Sequence, residues 1–155
     1  MADQIVTGRF VTGEPPLATH RSLPIALLRA REKVMEPIRG MLAEVGVTEQ
    51  QWRVLRVLDE CGLLEPSEVA RHACLLLPSL SRITQALVDK GYIARNHNPR
   101  DRRSQLLGLT RRGQKLLDDH MAEALDIAQL FERKLGKDKM EQLLDLLDEL
   151  NVAPF

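Results

Sequence analysis

At 155 residues the chain has the length of one ordinary domain, enough to bury a core without metal or disulfide support. Aromatics make up only 3% of the residues, and an apolar set of Leu, Ile, Val, Met and Ala suits interlocking helices better than an aromatic-rich sandwich; the expected fold class is mainly α. The net charge is zero, Cys61 and Cys74 are too few for a disulfide framework or zinc module, and no run approaches the roughly 18 apolar residues of a membrane span.

Residues 1–21 mix Gly and Pro with polar residues without sustained period, which predicts a flexible N-terminal arm. They lack the layout of a signal peptide, so the expected location is cytoplasmic, with both cysteines reduced and serving as packing residues. Ser22 caps the first predicted helix, with Pro24 in its opening turn. Leu27, Ala30, Val34, Ile38, Met41 and Val45 then recur at helical spacing up to Gly46. Thr48-Glu49-Gln50-Gln51 has the form of a capping box, opening a second helix that runs to Glu60. Leu63-Leu64 forms a very short strand, Pro66 opens a third helix to Ala73, and Pro78 opens a fourth to Lys90, closed by Gly91.

Tyr92–His97 and Gln105–Leu109 read as two strands joined by a turn at Asn98–Asp101. Thr110 caps a fifth helix ending at Gly136, and a sixth covers 138–150 with Met140, Leu143, Leu144, Leu147 and Leu150 on one side.

Zero net charge conceals a segregation. Residues 95–115 carry seven bases against the single acid Asp101, a net +6, whereas 116–150 carry ten acids against four bases, a net −6. Two short helices followed by a basic hairpin give the order of a winged helix-turn-helix, with positive charge where phosphates require it. The fourth helix offers Pro78, Ser79, Ser81, Arg82, Thr84 and Gln85 as a reading face for base edges and phosphates, while Leu80, Ile83, Leu87 and Val88 pack behind it. The hairpin adds Arg95, Arg100, Asp101, Arg102 and Arg103.

The run Asp101–Gly113, an Asp-x-Arg followed by Leu-Thr-x-x-Gly, resembles the wing signature of the MarR family of bacterial regulators. Leu87–Ile93 resembles the family's junction between recognition helix and wing. Three further stretches, 22–32, 48–56 and 73–79, resemble the homoprotocatechuate-operon repressor branch of that family, which governs hydroxyphenylacetate catabolism. One departure is Leu77, standing before Pro78 where a polar cap is more usual. The resemblance implies a homodimer in which 22–46 and 111–155 supply dimerisation helices and 48–110 the winged head, together making a domain over 22–155. It also implies that a palindromic double-stranded DNA operator is the partner, that Arg103 enters the minor groove with Asp101 aligning it, and that Thr110 holds the wing to the fifth helix.

Such regulators bind small phenolic or carboxylate effectors, and the resemblance implies an aromatic carboxylate here. Arg31 falls by helical phase among Leu27, Val34 and Ile38, so its guanidinium requires an anion. Two readings stand: a ligand carboxylate, or an acid of the partner subunit. Arg29, Trp52 and His72 are the accompanying candidates, against the plainer reading of Trp52 as core and His72 as surface. A cysteine-based redox sensor of the same fold is the alternative function. No metal, cofactor or enzymatic constellation is expected, because the histidines lack ligand spacing and the glycines occur singly.

Overall fold

The computed structural model of the chain describes residues 21–99 and 104–153. Its described elements run α1 (Leu23–Val45), α2 (Glu49–Cys61), α3 (Pro66–His72), α4 (Leu77–Asp89), β1 (Ile93–His97), β2 (Gln105–Leu109), α5 (Arg111–Leu135) and α6 (Lys137–Val152). The chain divides between Glu36 and Pro37, inside α1, into a unit of Met1–Glu36 and a larger unit of Pro37–Phe155. Within the first, α1 presents Leu23, Leu27, Leu28 and Val34 as exposed apolar side chains.

The larger unit is built around α2. Thr48 accepts the amide of Gln51 through its hydroxyl at 3.2 Å, and the Gln51 side chain accepts the amide of Thr48 at 3.2 Å. That box satisfies two first-turn donors and fixes where the helix starts. One face of α2 then buries Val54, Leu55 and Leu58, which share a core with Val69 of α3, Leu80 and Leu87 of α4, Ile93 of β1, Leu107 of β2 and Leu117 of α5. Each fully buried aliphatic side chain contributes about 1.5–3 kcal/mol relative to exposure. Polar ties hold the packing in register: Lys90, at the end of α4, donates to Gly46 O at 2.7 Å and to Gln51 Oε1 at 3.2 Å.

β1 and β2 pair antiparallel from Ile93↔Leu109 to His97↔Gln105. An isolated bridge, Leu64↔Leu107, adds the predicted very short third partner. A lone hairpin is marginal in water; here Ile93 and Leu107 anchor it to the core.

Three expectations are corrected. α4 begins at Leu77, one residue before Pro78, with Leu76 at the cap and no side-chain cap bond. α6 extends to Lys137 and Val152. Both cysteines are exposed instead of packed: Cys61 is the last residue of α2, and Cys74 sits in the turn after α3 with φ +51°.

α6 contains no buried residue. Leu143, Leu144 and Leu146 are exposed along it, as are Leu125 and Leu135 of α5. No described helix is long and apolar enough to cross a membrane.

Candidate nucleic-acid interface

The two faces of α4 separate as their side chains require. Leu80, Ile83, Thr84 and Leu87 are buried, whereas Pro78, Ser81, Arg82 and Gln85 are exposed and Ser79 is half-buried. Thr84 is therefore removed from the reading face: it is 4% exposed, and its hydroxyl donates to Ser81 O at 3.1 Å. The spacing 80, 83, 84, 87 is that of a helix's buried stripe, so the signal lay in the sequence beneath a polar residue type.

The hairpin lies against this helix through a chain of side-chain contacts. Arg95 donates from Nη2 to Gln85 Oε1 at 2.9 Å, and Gln85 in turn donates from Nε2 to Asp89 Oδ1 at 2.8 Å. Both ends of the Gln85 amide are thus engaged, which fixes its orientation. Between α4 and the strands lies a cleft of about 300 Å³ whose walls include Pro66, Leu77, Ser81, Thr84, Arg95 and Gln105. Arg100, Asp101, Arg102 and Arg103, expected at the wing tip, lie outside the described residues.

Thr110 and Gly113 join the hairpin to α5. The Thr110 hydroxyl donates to Gly91 O at 2.7 Å and accepts the Gly113 amide at 3.1 Å, so one side chain caps α5 and holds the end of α4. Gly91 adopts φ +73°, the left-handed conformation that turns the chain out of a helix at least cost for glycine. Gly113 is required by space: a Cβ there would lie 2.1 Å from Tyr92 O. The Arg112 guanidinium stands 5.2 Å from the centroid of the Tyr92 ring, within cation–π range. The Leu-Thr-x-x-Gly motif is thus a joint between wing and helix.

The proposed effector residues are placed as follows. Arg29 and Arg31 are exposed on α1, and Arg31 Nη1 lies 3.1 Å from Glu32 Oε1. His72 is exposed and beside Arg71 at 2.9 Å. Trp52 is 8% exposed and belongs to the core. Arg56 lies one helical turn beyond Trp52 on α2. Its Nη2 pairs with Glu60 Oε1 at 2.6 Å, and its Nη1 lies 3.7 Å from Asp59 Oδ2 and 3.1 Å from Met121 Sδ, so both ends of the guanidinium face an acid.

A short turn between two helices, a second helix with an exposed polar face, and a hairpin packed beside it define a winged helix-turn-helix transcriptional regulator. Residues 47–105 match the MarR family. The HTH-type transcriptional regulator FarR of Neisseria gonorrhoeae is 38% identical over 136 residues, spanning 88% of this chain and 93% of that protein. The chain belongs to the MarR family of transcriptional regulators. The homoprotocatechuate degradative operon repressor of Escherichia coli is 35% identical, spanning 84% of this chain and 88% of that protein. The crystal structure of NadR in complex with 4-hydroxyphenylacetate aligns with a TM-score of 0.79 at 37% identity, over 91% of this chain and 100% of that one. The FarR protein and the homoprotocatechuate repressor are named as regulators, not as enzymes.

Proposed function

We propose that the protein is a cytoplasmic repressor that binds a palindromic operator as a homodimer and is released by a small aromatic carboxylate. The observation that carries this reading is the exposed face of Ser81, Arg82 and Gln85 on a helix whose other side is core. Pro78 and Ser79 open that face and Arg95 borders it. In this reading the wing segment supplies Arg100, Arg102 and Arg103, with Asp101 orienting Arg103 for the narrow minor groove, where negative potential is concentrated. The head is 48–110, and 22–46 with 111–155 form the dimer. Support for the dimer comes from α6, which has exposed leucines and no buried residue of its own; a helix of that composition requires a partner surface. The domain so bounded begins at residue 22.

The effector class rests on the relatives named as a homoprotocatechuate operon repressor and as a 4-hydroxyphenylacetate complex. Arg31 is the proposed carboxylate partner, its guanidinium falling by helical phase among apolar residues of α1. Arg29, Trp52 and His72 complete the candidate set. Calorimetric titration of the purified dimer with 4-hydroxyphenylacetate tests this. Saturable binding, lost in Arg31→Ala, is expected, and heats no larger than dilution refute the effector class. Exposure of Cys61 and Cys74 favours one second reading, a redox sensor; peroxide that abolishes DNA binding until a thiol is added would establish it.

A further inference from the structure

We infer that Glu65 is a positioning residue for DNA binding: its carboxylate pins both roots of the wing to the start of α3. One oxygen, Oε1, accepts from Ser104 Oγ at 2.7 Å and from Asn98 Nδ2 at 3.2 Å. Those two residues follow β1 and precede β2, and the Asn98 amide donates to Ser104 O at 3.2 Å, extending the ladder past His97↔Gln105. Everything expected at the tip of the wing lies between them in sequence, at 99–103.

Glu65 has a simpler use that it does not take. It occupies the cap position of α3, but its side chain makes no cap bond, and Pro66 follows at the first helical position. Neighbouring Leu64 exchanges both backbone bonds with Leu107, at 3.1 and 2.8 Å. Residues 64 and 65 therefore form a seam, with backbone holding the middle of β2 and side chain holding the roots of the turn. The half-buried carboxylate also carries an electrostatic penalty. It sits at the edge of a segment with a net charge of +6, and a negative charge there opposes the approach of phosphates. What offsets that penalty is geometry, because the acceptor fixes the wing relative to the helix pair before DNA arrives.

The inference rests on the winged reading of residues 93–109, and its test separates the two. The full chain selects a duplex from a random-sequence pool, and affinity for it is measured for Glu65→Ala, Glu65→Gln, Arg103→Ala and the Glu65→Ala/Arg103→Ala pair. Hydrogen exchange of the Asn98 and Val54 amides is followed without DNA. Glu65→Ala is expected to weaken binding about tenfold, as loss of hydrogen bonds to a charged group does. It should also speed Asn98 exchange about tenfold while leaving Val54, in the core, unchanged. Glu65→Gln keeps an acceptor oxygen without the charge and should bind as well as the parent or more tightly. In the Arg103→Ala background the Glu65→Ala effect should shrink below about twofold, the mark of two residues acting through one contact. Unchanged Asn98 exchange, unchanged affinity, equal tightening by both Glu65 variants, or full additivity with an Arg103→Ala that itself weakens binding overturns the inference. If Arg103→Ala alone leaves affinity unchanged while Glu65→Ala weakens it, the pin stands and the role given to Arg103 falls.

Discussion

Gly113→Ala sets two physical effects against each other with opposite signs. Gly113 lies in the first turn of α5, where alanine is the better helix former by about 1 kcal/mol at most. The added Cβ, however, would fall 2.1 Å from Tyr92 O, 3.0 Å from Tyr92 C and 3.2 Å from Leu109 Cδ2, against the roughly 3.3 Å or more at which a carbon meets a carbonyl oxygen. The first neighbour is backbone and cannot swing aside. It is also bonded, since Tyr92 O accepts the Thr110 amide at 3.0 Å. Moving α5 outward by about 1 Å loosens that bond and the Thr110 cap, at about 0.5–1.5 kcal/mol each, on top of about 1–3 kcal/mol for overpacking. After the propensity gain, a net destabilisation of about 3 kcal/mol is expected, or about 6–12 °C in Tm for a chain of this size. Thermal unfolding followed by circular dichroism, at one fixed protein concentration because dimers unfold in a concentration-dependent way, measures it. A Tm equal to or above the parent's would refute the steric account and leave helix propensity in control.

Other outcomes follow from the same joints and faces. Thr110→Ala removes the cap of α5 and its bond to Gly91 O and should cost about 1–2 kcal/mol in urea unfolding, with Thr110→Ser recovering most of it. Leu144→Glu, on the exposed side of α6, should shift the sedimentation profile toward monomer while far-ultraviolet dichroism stays unchanged. Arg82→Ala should weaken operator binding by about 1–3 kcal/mol if it reads a base, or flatten the plot of log affinity against log salt by about one unit if it meets a phosphate. Thr84→Val, at a buried position, should alter stability more than base preference, which a repeat selection from random sequence would reveal.

Much of this fold was legible because local signals agree. The Thr48/Gln51 box, the Pro66 start, the Gly91 exit and the Thr110 cap each mark an element boundary by a mechanism confined to a few neighbouring residues. The start of α4 falls one residue before the Pro78 signal because Leu76 caps the helix without a side-chain bond that the sequence could display. Thr84 sits on the buried face although a hydroxyl suits the reading face, because helical period outweighs residue type there. The exposure of the cysteines could not be read from hydropathy, since Cys74 owes its position to a turn with positive φ. Long-range polar ties were invisible for a different reason. Glu65 with Ser104, 39 residues apart, and Lys90 with Gly46, 44 apart, depend on tertiary placement that no local pattern encodes. The contact of Arg56 with Met121 Sδ is of the same kind, because it joins α2 to α5.

The central claim, an operator-binding dimer released by an aromatic carboxylate, is tested most directly by fluorescence anisotropy of a labelled palindromic duplex selected by the full chain, titrated with protein with and without saturating 4-hydroxyphenylacetate. Release requires the ligand to bind the DNA-free state more tightly than the bound one. The account predicts that the ligand raises the Kd for the duplex at least tenfold. An affinity unchanged at saturating ligand would contradict it.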